Sequence, residues 1–489
     1  MANGTKVDPN IYINNTVVFR LIRCFDIHIL RNLKYDGIET RPSADSGLWC
    51  CLLLPTILLL YSFLYKVSPL YGMVACLSVG LLCYSVLFII FLSVSCLVLQ
   101  QRLGGCAASS VVTMLLLYGI LKQNLMFSLL YSVITIYSYN ALLKIAVTNF
   151  PKTFTIGEAM VVTQGIVLFL MAMISRILWN VGDTSDTEME FVNTINLTIL
   201  PSVGIIVTAL IVMEGRPTNI QVLSNVTAIA GTVALVMLHL TIGAGCIIDI
   251  ASYVFLDSAK ARLLAFWCFI STIAGLVLVF RTRKAMKADT VTRKMFHILA
   301  SIVFISGIVW DVHLITLAAG FGFAVVILIE ALRKSNIEII TPALESVFQV
   351  YKDEKDIGSF AMTPIYLYVG MACPLILVPV HEGYQLELLS GVLSIGIGDT
   401  AASWFGVKYG TTKWAGTNKT VQGTAFNIFS QIATVYFLDI THLLKVRHGL
   451  LRTTFAAVIS GLVEAKTDQI DNLILPLVTI IAYQLTWFL

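Results

Sequence analysis

The sequence predicts an all-α polytopic integral membrane protein with about 13–15 transmembrane helices. Three observations carry this reading. The 489 residues are 57% hydrophobic and only 12% charged. The mean hydropathy is +0.86. Apolar runs long enough to cross a ~30 Å hydrocarbon core recur from about Trp49 to Leu489. A soluble globular domain carries about twice this share of charge.

Taken in order, the first 45 residues scatter Asp8, Arg20, Arg23, Asp26, Arg31 and Lys34 among apolar residues, with no clean apolar core before a small-residue cleavage site. A removable signal peptide is not expected there. Ala2 after Met1 also excludes ordinary N-myristoylation. The clearest apolar runs follow near 52–65, 71–99, 126–146, 159–179, 195–212, 226–246, 264–280, 296–310, 315–332, 363–380, 389–405, 424–438, 450–463 and 473–488. The ten cysteines lie mostly inside such runs and never form C-x-x-C. They are expected to pack as small apolar residues, without thiol chemistry or structural zinc. A net charge of +4 spread along the chain argues against a nucleic-acid partner.

Polar residues divide the chain unevenly. Region 1–280 has short loops and sparse intramembrane charge, whereas the connections of region 281–489 are rich in paired charges, Gly, Thr and Asn. The expectation is an N-terminal membrane scaffold followed by a membrane-embedded catalytic region. Orientation follows from "RTRKAMKADTVTRK", where Arg281, Arg283, Lys284, Lys287, Arg293 and Lys294 face only Asp289. Such a basic short loop stays cytosolic. Counting spans from it puts "RKSNIEIITPALESVFQVYKDEKDIG", the loop Lys408–Thr424 and "EAKTDQIDN" on the same cytosolic face. "HEGYQLE" and "THLLKVRHG" fall opposite, where Lys445 and Arg447 run against the positive-inside rule.

Each cytosolic cluster has a chemical reading and a plainer one. In "TRKMFH", Arg293 and His297 share a helical face beside Lys294, as a phosphate clamp or as snorkelling anchors. "YKDEKDIG" packs Asp353, Glu354 and Asp356, which could hold Mg²⁺ or form a solvated turn. In "LSIGIGDTAASWFG", Asp399, Ser403 and Gly406 fall at i, i+4 and i+7, and Gly391, Gly396, Gly398, Ala401 and Ala402 keep the surface small. A carboxylate inside a span costs about 2.5–3.5 kcal/mol on insertion scales, so Asp399 is a functional candidate, or is paired with a lysine of another span. "GLVEAKTDQIDNLILP" sets Glu464, Asp468 and Asp471 at i, i+4 and i+7. Three acids in one stripe need a divalent metal or basic neighbours, unless they simply face water. "GTNKTVQGT" offers Gly416, Thr417, Lys419, Thr420, Gly423 and Thr424: backbone N–H groups, hydroxyls and a cation for an anionic phosphate chain. It is not a P-loop, and "GIGDTA" lacks the βαβ context of a dinucleotide site. Together the clusters equip one membrane face for phosphoryl or nucleotidyl transfer to a lipid.

The segments "RKMFH", "GIGDTAASWFG", "WAGTNKTVQGT" and "EAKTDQIDNLILP", in this order, resemble the C-terminal catalytic part of the dolichol kinases, the polyprenol kinase family of the endoplasmic reticulum. The resemblance runs from about Arg293 to Pro476. It implies CTP as phosphoryl donor, dolichol as lipid acceptor, and dolichyl phosphate for protein glycosylation as product. It also implies a CTP-binding segment from Asp399 through Thr424, including Ser403, with Lys419 on the phosphates. On this reading Asp399 orients or deprotonates the lipid hydroxyl or holds Mg²⁺. Lys419, Arg293 and Lys294, with His297 beside them, offset phosphoryl charge, and Glu464, Asp468 and Asp471 carry metal. The small-residue face from Gly391 to Gly406 is expected to form a groove for the isoprenoid chain. Rival readings are another CTP-using lipid kinase, a cytidylyltransferase, or a lipid transporter.

Overall fold

A computed structural model of the chain describes residues 17–488, apart from 43, 95–102, 180–185, 213–219, 285–289, 339, 352–357, 359, 382 and 445. The acidic trio Asp353, Glu354 and Asp356 lies outside the described residues. Those described are overwhelmingly helical and contain no named strand; a single antiparallel bridge joins Lys413 and Thr420.

The N-terminal region holds α1 (Val17–Tyr35), a 3₁₀ turn at Leu48–Leu52, α2 (Leu53–Leu64), α3 (Pro69–Val94), α4 (Leu103–Gly119), α5 (Leu125–Asn149) and α6 (Ile156–Trp179). There follow α7 (Thr187–Val212), α8 (Ile220–Thr241), α9 (Cys246–Phe255) and α10 (Ser258–Arg283). The C-terminal region continues with α11 (Thr290–Trp310), α12 (Val312–Lys334), α13 (Ile340–Tyr351), α14 (Met362–Leu377) and α15 (Tyr384–Leu388). A π-helix at Val392–Asp399 leads into α16 (Thr400–Tyr409), and α17 (Val421–Ile440), α18 (Gly449–Lys466) and α19 (Asp471–Gln484) close the fold.

Among the described residues, eight helices are long and apolar enough to cross a bilayer: α3, α5, α6, α7, α8, α10, α11 and α12. Five shorter apolar helical stretches accompany them, so the expected 13–15 spans are approached only by counting these. The shortfall has a physical cause. The expected run 389–405 is divided into a π-helix and α16 around Asp399, and α17 and α18 carry Asn427, Gln431, Arg452 and Glu464 inward, which breaks up the apolar stretches. Local chemistry sets several helix starts. Asp257 and Asp311 cap α10 and α12 by accepting the Ala259 and Leu314 amides at 2.8 Å each, and Asp311 thereby makes the tight turn after α11.

Two large apolar cores meet along α2. Leu53, Ile57 and Tyr61 face a core shared with α11, α14, α18 and α19, while Cys51 and Leu58 face a second core built from α1 and α3 to α6. The eight cysteines with described side chains are all free. The close approach expected of the small residues is present. A methyl group on Gly370 would overlap the Asn472 carbonyl, one on Gly391 the Gly370 carbonyl, and one on Gly396 the Ser301 hydroxyl. These contacts fill the expected isoprenoid groove with protein: Gly391, Gly396 and Gly398 are packing surfaces between helices, not the wall of a channel.

Candidate active site

Four of the sequence clusters converge at one end of the bundle. Asp399 ends the π-helix and is buried, and Lys294 of α11 pairs directly with its carboxylate. Glu464 comes from the last turn of α18 and Asp471 from the first turn of α19. One carboxylate oxygen from each of Asp399, Glu464 and Asp471 lies within 4.8 Å of the others.

Lys419 enters from the loop before α17. Its Nζ lies 2.8 Å from Glu464 Oε1, 3.4 Å from Asp471 Oδ2, and donates to the Glu464 backbone carbonyl at 2.5 Å. Burial would lower the pKa of this ammonium, but the adjacent Asp471 and Glu464 outweigh it and raise the value, so Lys419 stays charged. The site therefore sets three carboxylates against two lysines.

The glycine- and threonine-rich loop is a small hairpin. Trp414 N donates to Lys419 O at 2.9 Å, Val421 N to Thr412 O at 2.9 Å, and Gly416 turns the chain with φ 81°. The Thr417 hydroxyl accepts the Lys419 amide at 3.3 Å, and Thr420 caps α17 by accepting the Gly423 amide at 3.1 Å. Lys419 thus sits just before a helix N-terminus, whose dipole favours an anion. Gly423 and Thr424 differ from expectation. They are buried: Gly423 packs against the Ala402 carbonyl and Gly406 of α16, and the Thr424 hydroxyl accepts the Trp414 indole N–H at 3.0 Å. They support the loop from behind.

The expected Glu464–Asp468–Asp471 stripe does not form, because α18 ends at Lys466 and α19 begins at Asp471. The Thr467 hydroxyl accepts the Gln469 amide at 3.2 Å, a local turn that competes with helix. Asp468 is exposed and outside the carboxylate cluster, while Glu464 and Asp471 are brought together by the turn. Ser403 lies one turn beyond Asp399, half-buried. His297 is buried, with Nδ1 3.3 Å from the Arg293 carbonyl. Arg293 is half-buried one position from Lys294, which is the residue that reaches Asp399.

Oxygen donors in a tight set are what a hard divalent cation such as Mg²⁺ takes, and Asp399, Glu464 and Asp471 fit it. The sequence reading missed the residues that shape the turn between Glu464 and Asp471, namely Arg41, Glu158 and Gln469. The signal was present: Glu158 is a lone acid where an apolar run begins, and such an acid needs a partner.

Fold and site together define a polytopic helical membrane protein with a lysine–carboxylate centre at one end of its bundle. The family model described as dolichol kinase matches residues 71–373, more than half of the 489, and the chain belongs to the dolichol kinase family. The matched span includes Arg293, Lys294 and His297 but ends before Asp399. Curated relatives include dolichol kinases of Bos taurus and Homo sapiens, 33% and 32% identical over 352 residues, or 68% of this chain and 65% of each relative. A dolichol kinase of Saccharomyces cerevisiae is 25% identical over 49% of the chain and 45% of its own length. The alignments thus span just under two thirds of the length of the first two relatives. No solved structure matches the chain.

Proposed function

We infer that this chain transfers the γ-phosphoryl group of CTP to the terminal hydroxyl of dolichol at the cytosolic face of the endoplasmic reticulum membrane, supplying dolichyl phosphate for protein glycosylation. The observation that carries this reading is the cluster of Asp399, Glu464 and Asp471 with Lys294 and Lys419 at one bundle end of a dolichol kinase family chain. The basic segment before α11 supports the cytosolic side. CTP as donor rests on the family resemblance of the segment from Asp399 to Thr424.

The isoprenoid tail stays in lipid and presents its hydroxyl at the interface, beside Asp399. Asp399 orients that hydroxyl and takes its proton as the oxygen bonds to the γ-phosphorus and the bond to the β-phosphate oxygen breaks, releasing CDP. Lys294 pairs with Asp399 and, with Arg293, faces the developing phosphoryl charge. Glu464 and Asp471 would hold a divalent cation, whose charge would neutralise phosphate oxygens. Lys419, held beside these two carboxylates, reaches the triphosphate, where the hairpin backbone at Gly416 and the start of α17 at Thr420 complete the anion cradle.

The test is transfer from γ-labelled CTP, and in parallel γ-labelled ATP, to dolichol by the purified protein with Mg²⁺. Label in dolichyl phosphate from CTP alone, with CDP as co-product, is the expected result. Pyrophosphate release instead would make the chain a cytidylyltransferase. Movement of lipid across vesicles with no nucleotide turnover would make it a transporter.

A further inference from the structure

Glu158, fully buried in the first turn of α6, accepts four N–H groups. Arg41 supplies two, at 2.7 and 3.3 Å, and the Thr155 and Ile470 amides supply one each at 2.9 Å. That fills the roughly four lone-pair positions of a carboxylate. The Ile470 amide immediately precedes Asp471. Arg41 also donates to the Asp468 carbonyl at 3.0 Å. Between them the buried Gln469 side chain donates to the Asp45 carbonyl at 3.3 Å and to the Asp45 carboxylate, and accepts the Thr155 hydroxyl at 2.6 Å. Gly47, in the left-handed region at φ 62°, lets the chain pass against that amide, where any side chain would collide with it. Residues 468, 469 and 470 are thus each gripped by the N-terminal region, and together with Thr467 they make up the whole linker between Glu464's helix and Asp471's.

We propose that Arg41, Glu158 and Gln469 are positioning residues: a clamp from the N-terminal region that fixes the spacing of Glu464 and Asp471 and so sets the affinity of the site for its divalent cation. The clamp rests on the phosphotransferase reading above for its purpose, though not for its geometry. A free four-residue linker would let the two carboxylates drift by more than the ~0.5 Å that a preorganised site tolerates. Holding it by backbone groups fixes position while leaving the carboxylates free to act.

The test uses the full chain in lipid nanodiscs, with Glu158→Gln and Gln469→Leu, and Mn²⁺ binding followed by electron paramagnetic resonance. The expected result is Mn²⁺ affinity weakened about tenfold or more, as when the outer shell of a metal site is lost. Amide exchange should accelerate at 467–470 while α18 and α19 stay protected. The Mg²⁺ needed for half-maximal transfer should rise in step, with kcat restored by excess Mg²⁺ and the dolichol KM unmoved. A brace that only stabilises the fold would reduce the yield of folded protein and leave the metal dependence of the folded fraction as it was. That outcome overturns the proposal. Should Glu158→Gln fail to fold, Gln469→Leu, which keeps the Arg41–Glu158 pair, decides alone, and unchanged Mn²⁺ affinity in it is the overturning result. If the wild type binds Mn²⁺ but phosphorylates no dolichol, the phosphotransferase reading falls while the Mn²⁺ comparison still decides the clamp. If the wild type binds none, the clamp falls.

Discussion

The two ends of α18 carry buried charge of opposite character. Near its start, Arg452 donates to Glu387 Oε1 at 2.7 Å, Tyr61 donates to Glu387 Oε2 at 2.5 Å, and His381 Nε2 lies 3.2 Å away. Glu387 is 0% exposed and its oxygens are answered from several elements at once. At the other end Glu464 shares one lysine with Asp471, acids outnumber lysines, and the Lys419 side chain is 30% exposed. A buried charge whose partners are complete contributes a fixed arrangement. An excess of carboxylates at an accessible mouth leaves something for a cation and a phosphate chain to complete. The comparison teaches that burial alone does not mark a candidate reactive centre: incompleteness with access does.

The largest expected effect separates the two ends directly. Asp399→Asn keeps shape and should lower kcat for phosphate transfer by about 10³-fold, the range of a lost general base. The thermal unfolding temperature of the purified variant, in lipid, should fall by less than in Arg452→Met, because Lys294 loses its carboxylate but keeps 16% of its side chain open to solvent. Arg452→Met, at the opposite end, should do the reverse. It strands Glu387 in the interior, so stability should fall by about 3 kcal/mol while each folded molecule keeps its turnover. Denaturant titration set beside activity per folded protein distinguishes the outcomes. A turnover defect in Arg452→Met without loss of stability would erase the contrast.

Lys419→Met sharpens the picture within the reactive end. Loss of one preorganised donor should cost roughly 10²-fold in kcat/KM for the nucleotide. The dolichol KM should change little, since Lys419 faces Glu464 and Asp471 rather than the apolar core. Smallest of all, Asp468→Asn should alter activity and stability by no more than about 0.5 kcal/mol, as is usual for an exposed side chain. A large loss there would restore Asp468 to the metal set.

Much of this was legible in the sequence. Composition and apolar runs were enough for an all-α membrane fold, because the bilayer imposes length and polarity on every span. Asp399, Lys419, Glu464 and Asp471 stood out because charge inside or beside a span is costly. Their meeting point was foreshadowed by the basic loop before α11, which sorted the polar clusters to one side. Other features depend on contacts that no local pattern encodes. The end of α18 at Lys466 depends on a hydroxyl turn at Thr467 and on Arg41, more than 400 positions away along the chain. Helical spacing therefore placed Asp468 on a face that does not exist. Gly423 and Thr424 read as ligands for phosphate, yet the first lies in a helix crossing and the second holds Trp414. Glycine serves close approach to a ligand and close approach to a neighbouring helix equally well, and only the fold distinguishes them.

The twelve positions from Arg452 to Glu464 span about 18 Å of helix. With one end locked to Glu387 and the other in the carboxylate cluster, α18 is a strut of fixed length and angle. In thicker or thinner membranes, hydrophobic mismatch is normally relieved by tilting. A pinned strut is denied that freedom. The adjustment is expected instead from α8 and α10, whose most apolar stretches are only 6% buried. The phosphoryl transfer proposed above should then hold steady across bilayers of different thickness, the outer helices leaning while the carboxylates keep their spacing.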